Sequence, residues 1–298
     1  MPLVQALLQD QHPDLAGLPV RLAATGWDNS TYRLGDELAV RLPRIGVAAG
    51  LIRNEQRWLP ELAPRLPVPV PVPVRIGEPG HGYPWPWSVV PWVPGESAAS
   101  CPLLPSQAAR FGQFLAAVHQ PAPADAPRND YRGVPLPSRT ETVHARLDRL
   151  AVVGELLEVP LTDLRQRWAA LAAAPIDLED TWVHGDLHPK NIVSDQGRLA
   201  AVLDWGDLTV GDRATDLGAA WLHFPPQVLP TVWRAYGPVS ADTLLRAEGW
   251  ALFFGVVLLD AGLVDADPLF TGIGRRTLAQ LGPDGRGPVP VSSGALDG

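Results

Sequence analysis

Trp182-Val-His-Gly-Asp-Leu-His-Pro-Lys-Asn-Ile-Val193, followed by Ala201-Val-Leu-Asp-Trp-Gly-Asp207, is the stretch on which the reading of the chain turns. Asp186 is followed five positions later by Asn191, and Asp204 comes thirteen positions after that. The apolar, β-prone run Leu199-Ala-Ala-Val-Leu203 leads directly into Asp204, so a strand end would aim that carboxylate into a cleft. Taken singly, each aspartate is also an ordinary turn residue. Their order and spacing together carry the information.

Phosphoryl transfer asks for one carboxylate to orient the acceptor hydroxyl, with an amide oxygen and a second carboxylate holding Mg²⁺ on the nucleotide phosphates. Asp186, Asn191 and Asp204 match those jobs in order, Asp186 as catalytic base and the other two as metal ligands. The block resembles the catalytic loop and metal-binding turn of the kinase superfamily, in the His-Gly-Asp form of the aminoglycoside phosphotransferase family. Protein kinases more usually carry His-Arg-Asp and Asp-Phe-Gly. The resemblance runs over roughly residues 18 to 275, strongest at 182–207. It implies an α+β, protein-kinase-like two-lobed fold, with a small antiparallel-sheet N-lobe and a mainly helical C-lobe. It also implies ATP- or GTP-dependent O-phosphorylation of a small molecule, similar to an aminoglycoside or macrolide antibiotic. A metabolic kinase for choline, an amino alcohol or a sugar is the alternative within that chemistry, and a silent nucleotide-binding scaffold is the alternative outside it.

Other site residues follow from the resemblance. Arg41, in Leu38-Ala-Val-Arg-Leu-Pro43, occupies the place of the lysine that clamps the α- and β-phosphates, and Glu55 would be its ion-pair partner. The only lysine in the chain is Lys190, inside the catalytic loop. Arginine and lysine are not equivalent phosphate ligands, but Val-Arg-Leu-Pro-Arg is similar to the macrolide-kinase branch. The competing reading of Arg41 is an exposed strand arginine. Gly26-Trp-Asp-Asn-Ser-Thr31 would be the nucleotide loop, with Ser30 or nearby backbone amides at the phosphates. Pro91 and Val93 stand where a kinase hinge bonds the adenine edge, one through its carbonyl and the other through its N–H. His184 is expected to pack beneath the catalytic loop. Asp216, in Asp212-Arg-Ala-Thr-Asp216, would support the loop's backbone amides; a charge at a helix N-terminus is the simpler reading.

His184 and His188 bracket Asp186, which invites a zinc reading. Zinc needs three or four soft or imidazole ligands, and with one cysteine and no third nearby histidine the set falls short. His188 is expected to shape the loop or its rim, and a metal-dependent hydrolase ranks last.

Composition agrees with a cleft enzyme. The 298 residues suffice for two lobes, and 46% are hydrophobic. No unbroken apolar run reaches membrane length. No basic segment precedes an apolar one at the N-terminus, so a signal peptide is not expected. The single cysteine, Cys101, excludes an intrachain disulfide and suits the cytoplasm. A net charge of −8 argues against a nucleic-acid partner and tolerates a cationic one. Asp207, Asp212, Glu248, Asp260 and Asp265 are scattered acidic candidates for meeting a polyamine. Oligomeric state is left open.

Along the chain, residues 1–94 are expected to form the nucleotide lobe, 95–281 the helical catalytic and substrate lobe, and 282–298 a frayed tail. Periodicity predicts helices at 2–11, 48–62, 106–119, 138–152, 161–173, 213–223, 227–236 and 242–262. Strands are expected over 21–34 and 37–42, with Leu38, Val40 and Leu42 on one face. The proline-rich 66–74 and the run 85–93 read as extended segments.

Overall fold

The computed structural model describes residues 2–155, 157–177 and 180–282. The tail expected to fray lies outside them from residue 283 onward.

The N-terminal part is built on strands β1 (Val20–Thr25), β2 (Asn29–Leu34), β3 (Leu38–Pro43), β4 (Arg75–Gly77) and β5 (Trp87–Pro91). They form one antiparallel sheet in the order β1-β2-β3-β5-β4. Val40 pairs with Val89, and cross-strand partners share a face. Val40, Leu42, Val20, Leu34, Trp87 and Val89 therefore make one apolar surface, which the helix α1 (Pro2–Gln11) covers with Val4, Leu7 and Leu8. Arg41 pairs with Ser88 and points to the other face, where α2 (Gly46–Leu62) packs. Along α2 the buried positions are Ala48, Ile52, Glu55, Leu59 and Leu62, with Trp58 beside them. That is a three-and-four spacing facing the sheet and the helical core. Proline bars 66–74 from a central strand, and the segment runs extended without joining a named one. It still ties the two parts together, because Val74 donates to Val89 O and Val202 to Pro69 O.

The C-terminal part contains α3 (Ala108–Val118), α4 (Thr140–Val152), α5 (Leu161–Ala172), α6 (Ala214–Gly218), α7 (Ala220–His223), α8 (Leu229–Tyr236), α9 (Ala241–Val264) and α10 (Pro268–Ala279). Periodicity does not predict the last of these. Asp267 starts it by accepting from the N–H groups of Leu269 and Phe270, with Pro268 at the first helical position. By length and composition α9 resembles a membrane span, but most of its apolar stretch is buried inside the protein. It is the central core helix, packed by α4, α5, α6 and α10. Among these helices sit the short strands that carry the motif. β6 (Glu96–Ser97), β8 (Ile192–Asp195) and β9 (Arg198–Val202) form one small sheet, and β7 (Thr181–Val183) pairs with β10 (Thr209–Gly211) in another. The expected two-lobed α+β architecture is the one found.

Candidate active site

The catalytic loop leaves β7 at Val183 and enters β8 at Ile192. Its first turn hangs on Asp216, buried at the start of α6, whose carboxylate accepts from the N–H of His184 at 2.7 Å and of Gly185 at 2.8 Å. His119 at the end of α3 stands 3.3 Å from the same carboxylate, and its other nitrogen meets the Tyr236 hydroxyl. Gly185 has φ +87°, a conformation that L side chains rarely adopt, and an added Cβ would lie 2.9 Å from Arg132 Cβ. The loop thus turns through a glycine held by a buried carboxylate.

His184 lies fully buried against Trp205, ring centroids 4.6 Å apart. Its Nδ1 accepts from the Asp186 N–H, so a neutral ring carries its proton on Nε2, which meets Leu203 O at 3.0 Å. His188 Nδ1 accepts from the Lys190 N–H, and its Nε2 points at Asp186 Oδ2, 3.4 Å away. Burial holds the His188 pKa below its ordinary value. Both imidazoles are committed to loop geometry rather than to a shared metal. Among the described residues no three His, Cys, Asp or Glu side chains gather as a metal site.

Asn191 donates through Nδ2 to Asp186 O at 2.9 Å and to Asp186 Oδ2 at 3.0 Å. Both bonds use its N–H groups, which leaves the amide oxygen to accept or to ligate. Leu203 N donates to Asn191 O at 2.8 Å, bringing the turn at Asp204 alongside. There Asp204 adopts φ +57°, an uncommon state for a non-glycine residue, and its side chain keeps 43% exposure. One amide oxygen and one partly exposed carboxylate fit Mg²⁺, which takes few protein oxygens and completes its shell with phosphates and water. Gly206 lets this turn approach α2, since a Cβ there would come within 2.9 Å of Leu51 Cβ.

Arg41 crosses between the two parts of the molecule. Its Nη1 lies 2.7 and 2.6 Å from the two Glu55 oxygens, and its Nη2 donates to Asp204 Oδ1 at 2.8 Å. Burial works against the guanidinium charge, but Glu55 and Asp204 outweigh it and raise the pKa further. Arg41 is therefore a buried link between helix, strand and the Asp204 turn, not an exposed strand arginine.

The sequence motifs do not mark the residues on the other side of Asp186. Arg132, in the loop before α4, donates through Nη2 to Asp186 Oδ1 at 3.0 Å and through Nε to Asp207 Oδ2 at 3.3 Å. Asn129 Nδ2 donates to Asp207 Oδ1 at 2.9 Å. No local periodicity distinguishes 119–135, so only the fold brings it here. Burial alone would raise the Asp186 pKa; Arg132 first, then His188, His184 and Asn191, bring it below the usual carboxylate range. Asp28, in the nucleotide loop, has its pKa raised by burial and then by Asp204, Asp207 and Asp186. Asp28 thus faces the acid cluster, although the motif of that loop points to Ser30. At the rim, Lys190 pairs with Asp267 and lies 3.8 Å from the Phe270 ring centroid, and Trp27 of the nucleotide loop packs on the same ring.

The remaining expected residues fall as follows. Ser30 pairs with Leu42 and Thr31 with Arg41, so the Ser30 side chain lies on the α1 face of the sheet, away from Arg41. Strand residues alternate faces, so the Thr31 side chain, rather than that of Ser30, shares the Arg41 face. Pro91 ends β5 and Val93 follows it, both half-buried, while the intervening Trp92 donates to Glu37 O. Four of the acidic candidates for a polyamine are occupied. Asp207 pairs with Arg132, Asp212 with Arg246, Glu248 with Arg167, and Asp260 with Arg146 and Arg149. Asp265 lies exposed at the end of α9.

Comparison with known proteins agrees with this geometry. Among solved structures, the chain is similar to the GDP complex of wild-type aminoglycoside 2'-phosphotransferase-IIIa, with TM-score 0.67 and 18% identity, covering 94% of this chain and 97% of that one. It is also similar to the apoenzyme of macrolide 2'-phosphotransferase MphH from Brachybacterium faecium, with TM-score 0.58 and 20% identity, covering 93% and 97%. The ADP-bound aminoglycoside phosphotransferase APH(2'')-Ib gives TM-score 0.59 and 14% identity, covering 94% and 98%. No curated protein matches the chain. The model of the phosphotransferase enzyme family matches residues 19–250. With that match over most of its length, the chain belongs to the phosphotransferase enzyme family.

Proposed function

We propose that the chain transfers the γ-phosphoryl group of ATP or GTP, with Mg²⁺, to a hydroxyl of a small molecule of the aminoglycoside or macrolide type. One observation carries the reading. Asp186 sits at hydrogen-bonding distance from Asn191, and Asn191 adjoins the turn that presents Asp204. The solved relatives whose names specify aminoglycosides or macrolides support the acceptor class, and those holding GDP or ADP support a nucleotide donor.

Asp186 is placed to accept a hydrogen bond from the acceptor hydroxyl and to take its proton late, since a loose transition state needs little activation of the nucleophile. Asn191 and the Asp216-supported backbone hold that carboxylate in position. Arg41 sets the α2-to-turn distance and lends positive charge beside Asp204. Asn191 and Asp204 would hold Mg²⁺, and the ion would supply positive charge to the nucleotide phosphates. The reading is tested by initial-rate assays over panels of aminoglycosides, macrolides, choline and simple sugars, with ATP and GTP each as donor. Acceptor-dependent phosphate transfer that disappears in Asp186→Ala supports it. Unchanged transfer in that variant removes Asp186 from the role.

A further inference from the structure

We propose that Arg132 contacts the transferred phosphoryl group, its Nη1 donating to a γ-phosphate oxygen as the group passes to the acceptor, the part an arginine finger plays in GTPases. This rests on the phosphotransferase reading above and adds a catalytic residue to it.

In that transfer the acceptor oxygen bonds to the γ-phosphorus while the bond from phosphorus to the β–γ bridging oxygen breaks. The electron pair leaves with the nucleoside diphosphate, and the hydroxyl proton goes to Asp186. Charge meanwhile spreads over three equatorial oxygens, and fixed donors aimed at them lower the barrier. Asp28, Asp186, Asp204 and Asp207 crowd the same region. A triphosphate entering among four carboxylates needs a cation of the protein's own besides Mg²⁺.

Most cations around the cleft are committed elsewhere. Arg41 divides Nη1 and Nη2 between Glu55 and Asp204, and Lys190 pairs with Asp267 at the rim. Arg44 donates to Gly26 O, and both ring nitrogens of His188 serve the catalytic loop. Among the described residues, Arg132 is the one arginine or lysine in contact with Asp186, Nη2 to Oδ1 at 3.0 Å. Its Nε donates to Asp207 Oδ2 at 3.3 Å, and its Nη1 has no hydrogen-bond partner among the described residues. The guanidinium is one rigid plane, so Nη1 lies within reach of a group seated at Asp186. The side chain keeps 23% exposure there. Its charge also reaches the nucleotide loop. Burial and the neighbouring acids push the Asp28 carboxyl up, and Arg132 opposes them.

The guanidinium is held by the protein itself. Arg132 Cβ and Cγ lie 2.9 and 3.0 Å from where a Gly185 side chain would begin, so the catalytic loop is shaped around this stem. The neighbouring Gly133 accepts from Asp212 N at 2.8 Å and packs on Gly211. A donor fixed in this way needs no reorganisation when charge develops on the phosphoryl group.

The test measures, by calorimetry on the full chain with Mg²⁺, binding of the imido analogues of ATP and GTP against ADP and GDP. Wild type, Arg132→Gln and Arg132→Lys are compared. Arg132→Gln is expected to lose about tenfold or more of the preference for triphosphate over diphosphate, with diphosphate affinity within about threefold of wild type. Arg132→Lys keeps the stem and the charge without the fork and should fall between the two. An unchanged triphosphate preference in a folded Arg132→Gln overturns the proposal. Equal losses for triphosphate and diphosphate also overturn it, because they mark a structural role. If Arg132→Gln does not fold, a crystal structure of wild type with Mg²⁺ and the imido analogue decides. Nη1 at hydrogen-bonding distance from a γ-phosphate oxygen supports the proposal, and Nη1 out of contact with that group overturns it. Wild type that binds neither nucleotide sinks the phosphotransferase reading and this proposal together. Nucleotide binding with a triphosphate preference that does not depend on Arg132 sinks this proposal alone.

Discussion

Arg41 and Asp204 stand 163 positions apart in sequence, and their guanidinium and carboxylate meet at 2.8 Å. With Glu55 on its other nitrogen, Arg41 makes one ion-pair chain from α2 to the turn at Asp204. A lysine has one compact ammonium and would not span both carboxylates with the same geometry. Arg41→Lys is therefore expected to retain part of the activity and Arg41→Ala to lose transition-state stabilisation on the order of 2–4 kcal/mol, the scale of one preorganised donor. Glu55→Ala should add little on top of Arg41→Ala, because the two act as one unit. Steady-state kcat/KM for the three variants and the double mutant checks this; wild-type rates in both Arg41 variants would remove Arg41 from the site.

Asp186→Asn should lower kcat by roughly 10²–10⁴-fold, the range for a positioned general base. Nucleotide affinity should hardly change, because the side chain contacts Arg132, Asn191 and His188 and its proposed partner is the acceptor hydroxyl. Parallel rate and nucleotide-binding measurements separate the two effects, and equal losses in both would contradict the assignment.

Asp204→Ala should weaken Mg·nucleotide binding far more than nucleotide binding in EDTA, since the proposed partner of its carboxylate is the cation. Asn191→Ala should do the same less severely, a neutral amide contributing less than a charged ligand. Calorimetry with and without Mg²⁺ decides. Losses that do not depend on the metal would leave Asp204 as the partner of Arg41 only.

Asp216→Ala leaves the buried N–H groups of His184 and Gly185 without their acceptor. Two orphaned donors predict a loss of about 2–4 kcal/mol in stability. Gly185→Ala should cost about 2 kcal/mol from its left-handed backbone alone, with further cost from the approach to Arg132. Denaturant unfolding measures both, and near-wild-type midpoints would mean the catalytic loop relaxes without them.

His223, in α7, is half-buried with Nε2 on Leu187 O at 2.9 Å, and loss of solvation lowers its pKa from 6.5 to about 4. The folded value lies below the unfolded one, so the unfolded chain binds the extra proton between them. The stability linked to this group is present above about pH 6.5 and is lost as pH falls toward 4. Its size is on the order of 3 kcal/mol, by the conversion of one pKa unit to about 1.4 kcal/mol. Unfolding free energies from pH 7 to pH 4 should fall less steeply in His223→Gln than in wild type. Parallel curves would place the acid sensitivity elsewhere.

Between His184 and Asp207, the order of acid, amide and acid is legible in the sequence, and the fold brings Asp186, Asn191 and the turn at Asp204 together as that order suggests. The order is legible because loop-to-strand spacing is a local property, and short segments place their own side chains. The alternation of Leu38, Val40 and Leu42 likewise puts Arg41 on the opposite face of its strand without reference to the rest of the fold. Tertiary structure alone decides what lies beside Asp186. Arg132 arrives from a loop without periodicity, Asp28 from the tip of a hairpin, and His119 from the end of α3 to the buried support at Asp216. The same holds for the acidic candidates for a polyamine, whose arginine partners lie 34 to 114 positions away. It holds for α10 too, whose start depends on the Asp267 cap and whose packing is against α9. Spacing along a chain specifies which groups a short loop can present, while the charge that surrounds them is set by segments that meet only when the core closes.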